Sequence, residues 1–331
     1  MDSEAVSNEI TQLVPKEPAS NEAPRGCNLM ICRSGVGVSL AALAGLLYGL
    51  TTILVVLAQN GGADSVQVTF IQNIVCVLFT VPVTAYLRYP FFDYSRRERV
   101  LLVVNSIVEA AGRITLYYAF MFGLAGNVTS ITFGALPILT PLFACIYNRE
   151  RWKIADAINS VFNIAGIILI AGPSFTSNET SEEEKNAALA ISLSIVTAVA
   201  FGISAVAIHS MPSVRVFIIL FYVGAVGALV TFPMLFVVPS VTWNLSAVCW
   251  IYLLSEAVVY LLASVAIMFA LQKENAATVV LLVNLQICVA YIGDVFLFGK
   301  TVKLLQIIGS ILIVTSSAIV SFYTCWENRL H

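Results

Sequence analysis

Charge is scarce in this chain. Of its 331 residues, 11% are Asp, Glu, Lys or Arg, against 59% hydrophobic, and the mean hydropathy is +0.91. A water-soluble protein of this length covers its surface with far more charge, so a large soluble helical protein is excluded. Histidine is almost missing: the two present, His209 and His331, fall at segment ends without partners. The seven cysteines form no CxxC pair and no cluster with histidine, which leaves no structural metal and no disulfide framework. There is no HExxH, no GxSxG and no P-loop, so no enzyme and no cofactor is expected. A net charge of −2 offers no basic surface for nucleic acid. Residues Met1 to Cys32 lack the basic start and cleavage site of a signal peptide, so the first apolar run is expected to stay in the mature protein.

Long apolar runs are what the chain does have. Ten lie near the ~20 residues that a bilayer core requires: Ser34–Ala58, Val66–Leu87, Val100–Leu124, Val128–Tyr147, Ile154–Ala171, Ala187–Ile208, Val216–Val238, Val248–Leu271, Ala276–Phe298 and Leu304–Tyr323. Within lipid every backbone polar group must be satisfied inside its own segment, so the runs predict helices. The third and fourth are joined so briefly around Gly123–Asn127 that they must form a tight hairpin. Ahead of them, residues 1–33 are polar and broken by Pro15, Pro18 and Pro24, which predicts a disordered tail; residues 324–331 form a short C-terminus. Glu9 to Val14 resembles an acidic dileucine sorting signal. Cys76, Cys145 and Cys288 read as small core residues, and Cys27, Cys32 and Cys325 as palmitoylation candidates.

With the N-terminus in the cytoplasm, the basic residues segregate. Lys16, Arg25, Arg33, Arg88, Arg96, Arg97, Arg99, Arg149, Arg151, Lys153, Arg215, Lys273 and Arg329 fall inside, while only Lys185, Lys300 and Lys303 fall outside. This predicts an even number of spans with both termini cytoplasmic, in the plasma membrane or an endomembrane of the endoplasmic reticulum or Golgi. Sequons at Asn178 and Asn244 then lie on the glycosylated side; a third, at Asn127, lies too near the bilayer.

The chain also repeats itself. Glu109-Ala110 matches Glu256-Ala257, and "AFMFGL" (Ala119 to Leu124) matches "AIMFAL" (Ala266 to Leu271) at the same spacing. Further on, "NIAGIILI" (Asn163 to Ile170) resembles "QIIGSILI" (Gln306 to Ile313). The unit is five spans. Five is odd, so the second copy must enter the membrane upside down. Inverted repeats give two similar energy minima, one open to each side, as in secondary transporters.

Polar side chains recur at helical spacing within these runs. The third carries Ser106, Glu109, Arg113 and Tyr117, the eighth Tyr252, Glu256, Tyr260 and Ser264, and the ninth Asn284, Cys288, Tyr291 and Asp294. Glu109 and Arg113, four apart, can pair directly. An ionised group at the bilayer centre costs from about 2.5 to above 10 kcal/mol, so charge kept there argues for use. Desolvation disfavours a charged carboxylate, which makes Glu256 a candidate for proton coupling. Arg113 is the natural clamp for a carboxylate or phosphate. Tyr117, Tyr260, Asn284 and Asp294 are predicted to line the same cavity. Asn159, Ser160 and Asn163 of the fifth run read as hydrogen-bonding glue between helices, and Asp156 as a residue of the membrane interface beside Lys153. Gly45 with Gly49, and Gly224 with Gly227, read as close helix contacts.

The stretch from Ala125 to Phe175 resembles the first-repeat signature of EamA-type carriers in the drug/metabolite transporter superfamily. Its hairpin, the mid-helix Pro141, the acidic Glu150 and the "AG-I-L-I--P" helix of Ala165 to Pro173 carry the likeness. "ERWKIADA" followed by "IAGIILIAGPSF" is most similar to solute carrier family 35, subfamily G. The resemblance implies an all-α integral membrane fold: ten transmembrane helices as two inverted five-helix EamA repeats, residues 34–175 and 187–323, around a central cavity. Asn284 and Gln286 depart from it where basic residues are frequent, and Gly299 where an acidic one is. The expected activity is alternating-access transport of a small polar organic solute, with an organic anion as one class. Expected partners are that solute, protons, the lipid bilayer and a second copy of the chain. The rival readings are a non-transporting regulator that binds a partner protein through the same fold, and a channel.

Overall fold

A computed structural model describes residues 35–148, 154–176, 181–211, 213–273, 279 and 282–330. The helices belong to one compact body, Val36–His331. The described residues form ten of them: α1 (Gly35–Asn60), α2 (Ser65–Tyr86), α3 (Arg96–Phe122), α4 (Ala125–Asn148), α5 (Ile154–Thr176), α6 (Ser181–His209), α7 (Val216–Val237), α8 (Ala247–Lys273), α9 (Leu285–Ile292) and α10 (Leu304–Leu330). Among them, seven are long and apolar enough to cross a membrane by length and composition. α5 and α10 reach 23 and 27 residues, or about 34 and 40 Å at 1.5 Å per residue.

Local chemistry sets the helix starts. Asp64 accepts the Val66 amide at 2.8 Å, and Gln67 answers from the first turn by accepting the Asp64 amide at 2.9 Å. Ser95 and Glu98 close the same reciprocal box at the start of α3. Only Gly123 and Leu124 separate α3 from α4, which is the tight hairpin that the sequence predicts.

The helices distribute polarity in the reverse of a soluble protein. Leu78, Leu229, Phe236 and Ile311 are exposed, while Gln67, Gln72, Asn73 and Asn163 are buried. Lipid tails accept the apolar exterior, and buried amides find partners across helices. Asn163 donates to Asn159 on its own helix and to Ser316 Oγ on α10 at 3.2 Å. The glue expected of that pair is therefore in place; the Asp156 side chain and Glu150 lie outside the described residues.

The first five helices interlock with the second five. α2 packs on α7, α5 on α10, and α3 and α4 on α6. Small residues permit the closest approaches. A Cβ on Gly45 would lie 2.4 Å from the Leu282 carbonyl oxygen, and one on Gly224 3.1 Å from that of Asn73. The glycine pairs thus serve close helix packing, as expected.

Two expectations need correction. The ninth run is not one regular helix: a turn at Asn284 precedes α9, and Gly293–Leu297 wind as a single π-helical turn, with Phe298 N bonded to Gly293 O at 3.1 Å. Gly293 sits against Ile53, where a Cβ would be 2.7 Å from a side-chain carbon. The wider turn places Asp294 against α4. Cys145 and Cys288 are exposed rather than core residues, because helical phase turns both outward; Cys76 is buried as expected.

Candidate functional site

The buried polar centre begins with two adjacent amides in the apolar stretch "FIQNIVC" (Phe70 to Cys76) of α2. Gln72 and Asn73 are both buried, and both turn their oxygens to one guanidinium. Arg113 of α3 donates from Nη1 to Gln72 Oε1 at 2.9 Å and from Nη2 to Asn73 Oδ1 at 2.8 Å. Its planar fork suits two acceptors set side by side. Gly227 on α7 leaves the room, since a Cβ there would meet Asn73 Nδ2 at 2.7 Å.

The second half of the chain closes the site through α8. Tyr260 lies beneath Arg113, with the guanidinium carbon 5.4 Å from the ring centroid. One turn earlier, Glu256 accepts from Gln72 Nε2 at 3.1 Å and from the Tyr117 hydroxyl at 3.4 Å. Gln72 therefore bridges cation and carboxylate, one end of its amide on each. Tyr48 of α1 bonds Ser264 Oγ at 3.2 Å and packs edge-on against Tyr260 at 6.0 Å.

Arg113 is 2% exposed and Glu256 0%, yet neither forms an ion pair among the described residues; Lys300 lies 3.9 Å from Asp294 elsewhere. The expected Glu109–Arg113 pair does not form. Glu109 instead accepts from Ser204 Oγ of α6 at 2.8 Å, because neighbouring helices offer both groups nearer partners than each other. Arg113 Nε and Glu256 Oε2 have no hydrogen-bond partner among the described residues, and neither have Asn73 Nδ2 and both amide atoms of Asn105. Buried polar atoms are satisfied in the great majority of native sites; Thr84 Oγ1, Asn163 Oδ1 and Gln286 Nε2 are the other exceptions among the described residues. The cost of the buried cation can be set against its contacts. Burying Arg costs from about 2.5 to above 10 kcal/mol. Two interhelical hydrogen bonds at about 0.6 kcal/mol each and a desolvated cation–π contact of about 2 kcal/mol offset only the lower end.

Four of the residues singled out by sequence, Arg113, Tyr117, Glu256 and Tyr260, thus come together, and Glu109 stands within Arg113's electrostatic surroundings. Asn284 and Asp294 do not join by any hydrogen bond. Asn284 is buried at the start of α9. Asp294, 0% exposed, caps α4 from outside: its carboxylate accepts Gly126 N at 2.7 Å and Ala125 N at 3.3 Å. A helix start carries unpaired N–H groups and partial positive charge, so a carboxylate settles there. Beside it, Tyr291 donates to Asn127 Oδ1 at 2.8 Å. Gln72, Asn73 and Asn105 are not among the residues that helical spacing singles out; their signal is an adjacent amide pair in an apolar run and a lone Asn one turn before Glu109.

A cavity of about 620 Å³ opens at the end of the bundle where α3 meets α4, with Met121, Asn127, Ser194, Lys300, Lys303 and Gln306 in its lining. Neither Arg113 nor Glu256 is in its lining. Of the glycosylation candidates, Asn244 is exposed in the loop before α8, and Asn178 lies outside the described residues.

Several known proteins resemble this chain. It is 25% identical over 292 residues to solute carrier family 35 member G1 of Mus musculus, covering 86% of this chain and 77% of that one. To the Homo sapiens protein of the same name it is 23% identical over 288 residues, covering 86% and 78%. A solved crystal structure superposes with a TM-score of 0.61 at 13% identity, covering 86% of this chain and 97% of the other, a likeness of fold. Residues 35–172 and 188–322 each match the EamA-like transporter family. Ten apolar helices, two matched segments of five and a charged centre between them make this chain a multi-pass membrane protein belonging to that family.

Proposed function

We propose that the chain carries a small polar organic anion across its membrane by alternating access, with Arg113 binding the negative group and Glu256 carrying a coupled proton. The observation that carries this reading is the buried guanidinium of Arg113, held by two neutral amides rather than by a carboxylate. Its charge is oriented but not neutralised by an ion pair, so an anionic solute gains what the protein withholds. The unpartnered Oε2 of Glu256 is where a proton would sit. Gln72 links the two groups, so that loading one is felt at the other. The cavity with Lys300 and Lys303 in its lining serves as the approach from one side, and the inverted repeat supplies the second state.

Both termini in the cytoplasm, a plasma or endomembrane location and glycans on Asn178 and Asn244 complete the proposal, on the strength of the basic-residue asymmetry. The test is an untargeted metabolite screen with proteoliposomes. Compounds accumulated above empty liposomes should be anions at neutral pH, with uptake faster when the outer pH is lower. Accumulation of neutral or cationic compounds alone would overturn the anion assignment.

A further inference from the structure

α3 begins with "RRERVLLVV" (Arg96 to Val104). Arg96 and Arg99 are three apart, and Val100, Val103 and Val104 continue the same stripe over the next two turns. Together they line a groove of about 450 Å³ on the outside of the bundle. Both arginines are exposed, and so are the three valines, which are 56%, 38% and 45% accessible. Neither guanidinium forms an ion pair among the described residues. Glu98, the carboxylate of the same turn, is committed elsewhere: it accepts the Ser95 amide at 2.9 Å and the Ser213 hydroxyl. The order of chemistry along the helix is therefore two cations at its end, then bare aliphatic surface towards its middle.

We propose that this groove is a binding site for one anionic phospholipid, its phosphate between Arg96 and Arg99 and an acyl chain along Val100, Val103 and Val104. Charge complementarity selects the occupant. A soluble anion would use the arginines and leave the valines uncovered, and a zwitterionic lipid carries its own cation into the guanidinium pair. The site sits on the helix that carries Arg113, and Glu98 ties the start of that helix to Ser213 in the connection to α7. An occupied groove would brace the same joint.

The test is native mass spectrometry of the full chain in detergent, titrated with palmitoyl-oleoyl phosphatidylglycerol, with the corresponding phosphatidylcholine, and with glycerol 1-phosphate as competitor. One phosphatidylglycerol should remain bound at concentrations where phosphatidylcholine does not. The double variant Arg96→Gln/Arg99→Gln should weaken it about 30-fold, given the usual contribution of each basic residue at an anionic surface. Arg97→Gln removes the same charge one position off the groove and should change affinity less than about twofold. Equal retention of the two lipids would overturn the proposal, as would an equal loss with Arg97→Gln. Displacement by glycerol 1-phosphate would reassign the site to soluble phosphates.

Discussion

Gly166 of α5 and Gly309 of α10 stand backbone to backbone: a Cβ on Gly309 would lie 2.6 Å from the Gly166 carbonyl oxygen, and one on Gly166 2.8 Å from that of Gly309. They are the same position of the repeated segment, fourth in "NIAGIILI" and in "QIIGSILI". Arg113 and Tyr260 repeat the relationship. They occupy matching positions, each four residues after the glutamate of its repeat, and they touch across the centre. Equivalent residues meet only along an axis that exchanges the two halves. Gly309→Ala should force α5 and α10 apart at that axis. Overpacking of this kind costs about 1–3 kcal/mol, to be read as a lower melting temperature in detergent, with Gly309→Val worse than Ala.

Gly227 should be just as intolerant, for a different reason. A methyl group there meets the Asn73 side chain at 2.7–2.9 Å, and Asn73 holds one arm of Arg113. Gly227→Ala should therefore lower both melting temperature and uptake. Adding Asn73→Ala removes the collision, so the double variant should melt higher than Gly227→Ala alone while uptake stays low. A double variant no more stable than the single one would show that the strain lies elsewhere.

Asp294→Ala is a test that can separate structure from transport. Asp294→Ala strips two bonds from the start of α4, and losing a helix cap costs about 0.5–2 kcal/mol. A melting temperature lower by about 2–8 °C is expected, with the apparent affinity for solute held near that of the parent. Weakened solute binding at unchanged stability would return Asp294 to the solute site.

Much of this is legible in the sequence. Run lengths mark the spans, the matches at Glu109 and Glu256 mark the repeat, and helical spacing singles out Arg113, Tyr117, Glu256 and Tyr260. Three features are not legible, each for a physical reason. The spacing of Glu109 and Arg113 permits a pair, but Gln72, Asn73 and Ser204 approach from other helices and take both groups. The cap that Asp294 forms is hidden because the amides of Ala125 and Gly126 come to it from far away in sequence. Gln72 carries no charge and so draws no notice, although its two-ended amide is what joins the site.

Glu256→Gln keeps the shape and the bond from Gln72 while removing the titratable proton. If Glu256 couples transport to protons, the variant should still exchange solute between the two sides of a liposome but should lose its response to an imposed pH gradient. A gradient response equal to the parent's would remove Glu256 from the coupling step.

The most direct measurement is uptake of a solute found in the liposome screen by parent protein and by Arg113→Ala, with melting temperature recorded for both. Removing one member of a buried, hydrogen-bonded charge site costs about 2–5 kcal/mol, so affinity should fall by at least about 30-fold in a variant that remains folded. Parent-like uptake by folded Arg113→Ala would mean that the buried guanidinium is a structural strut and that the solute travels by another route.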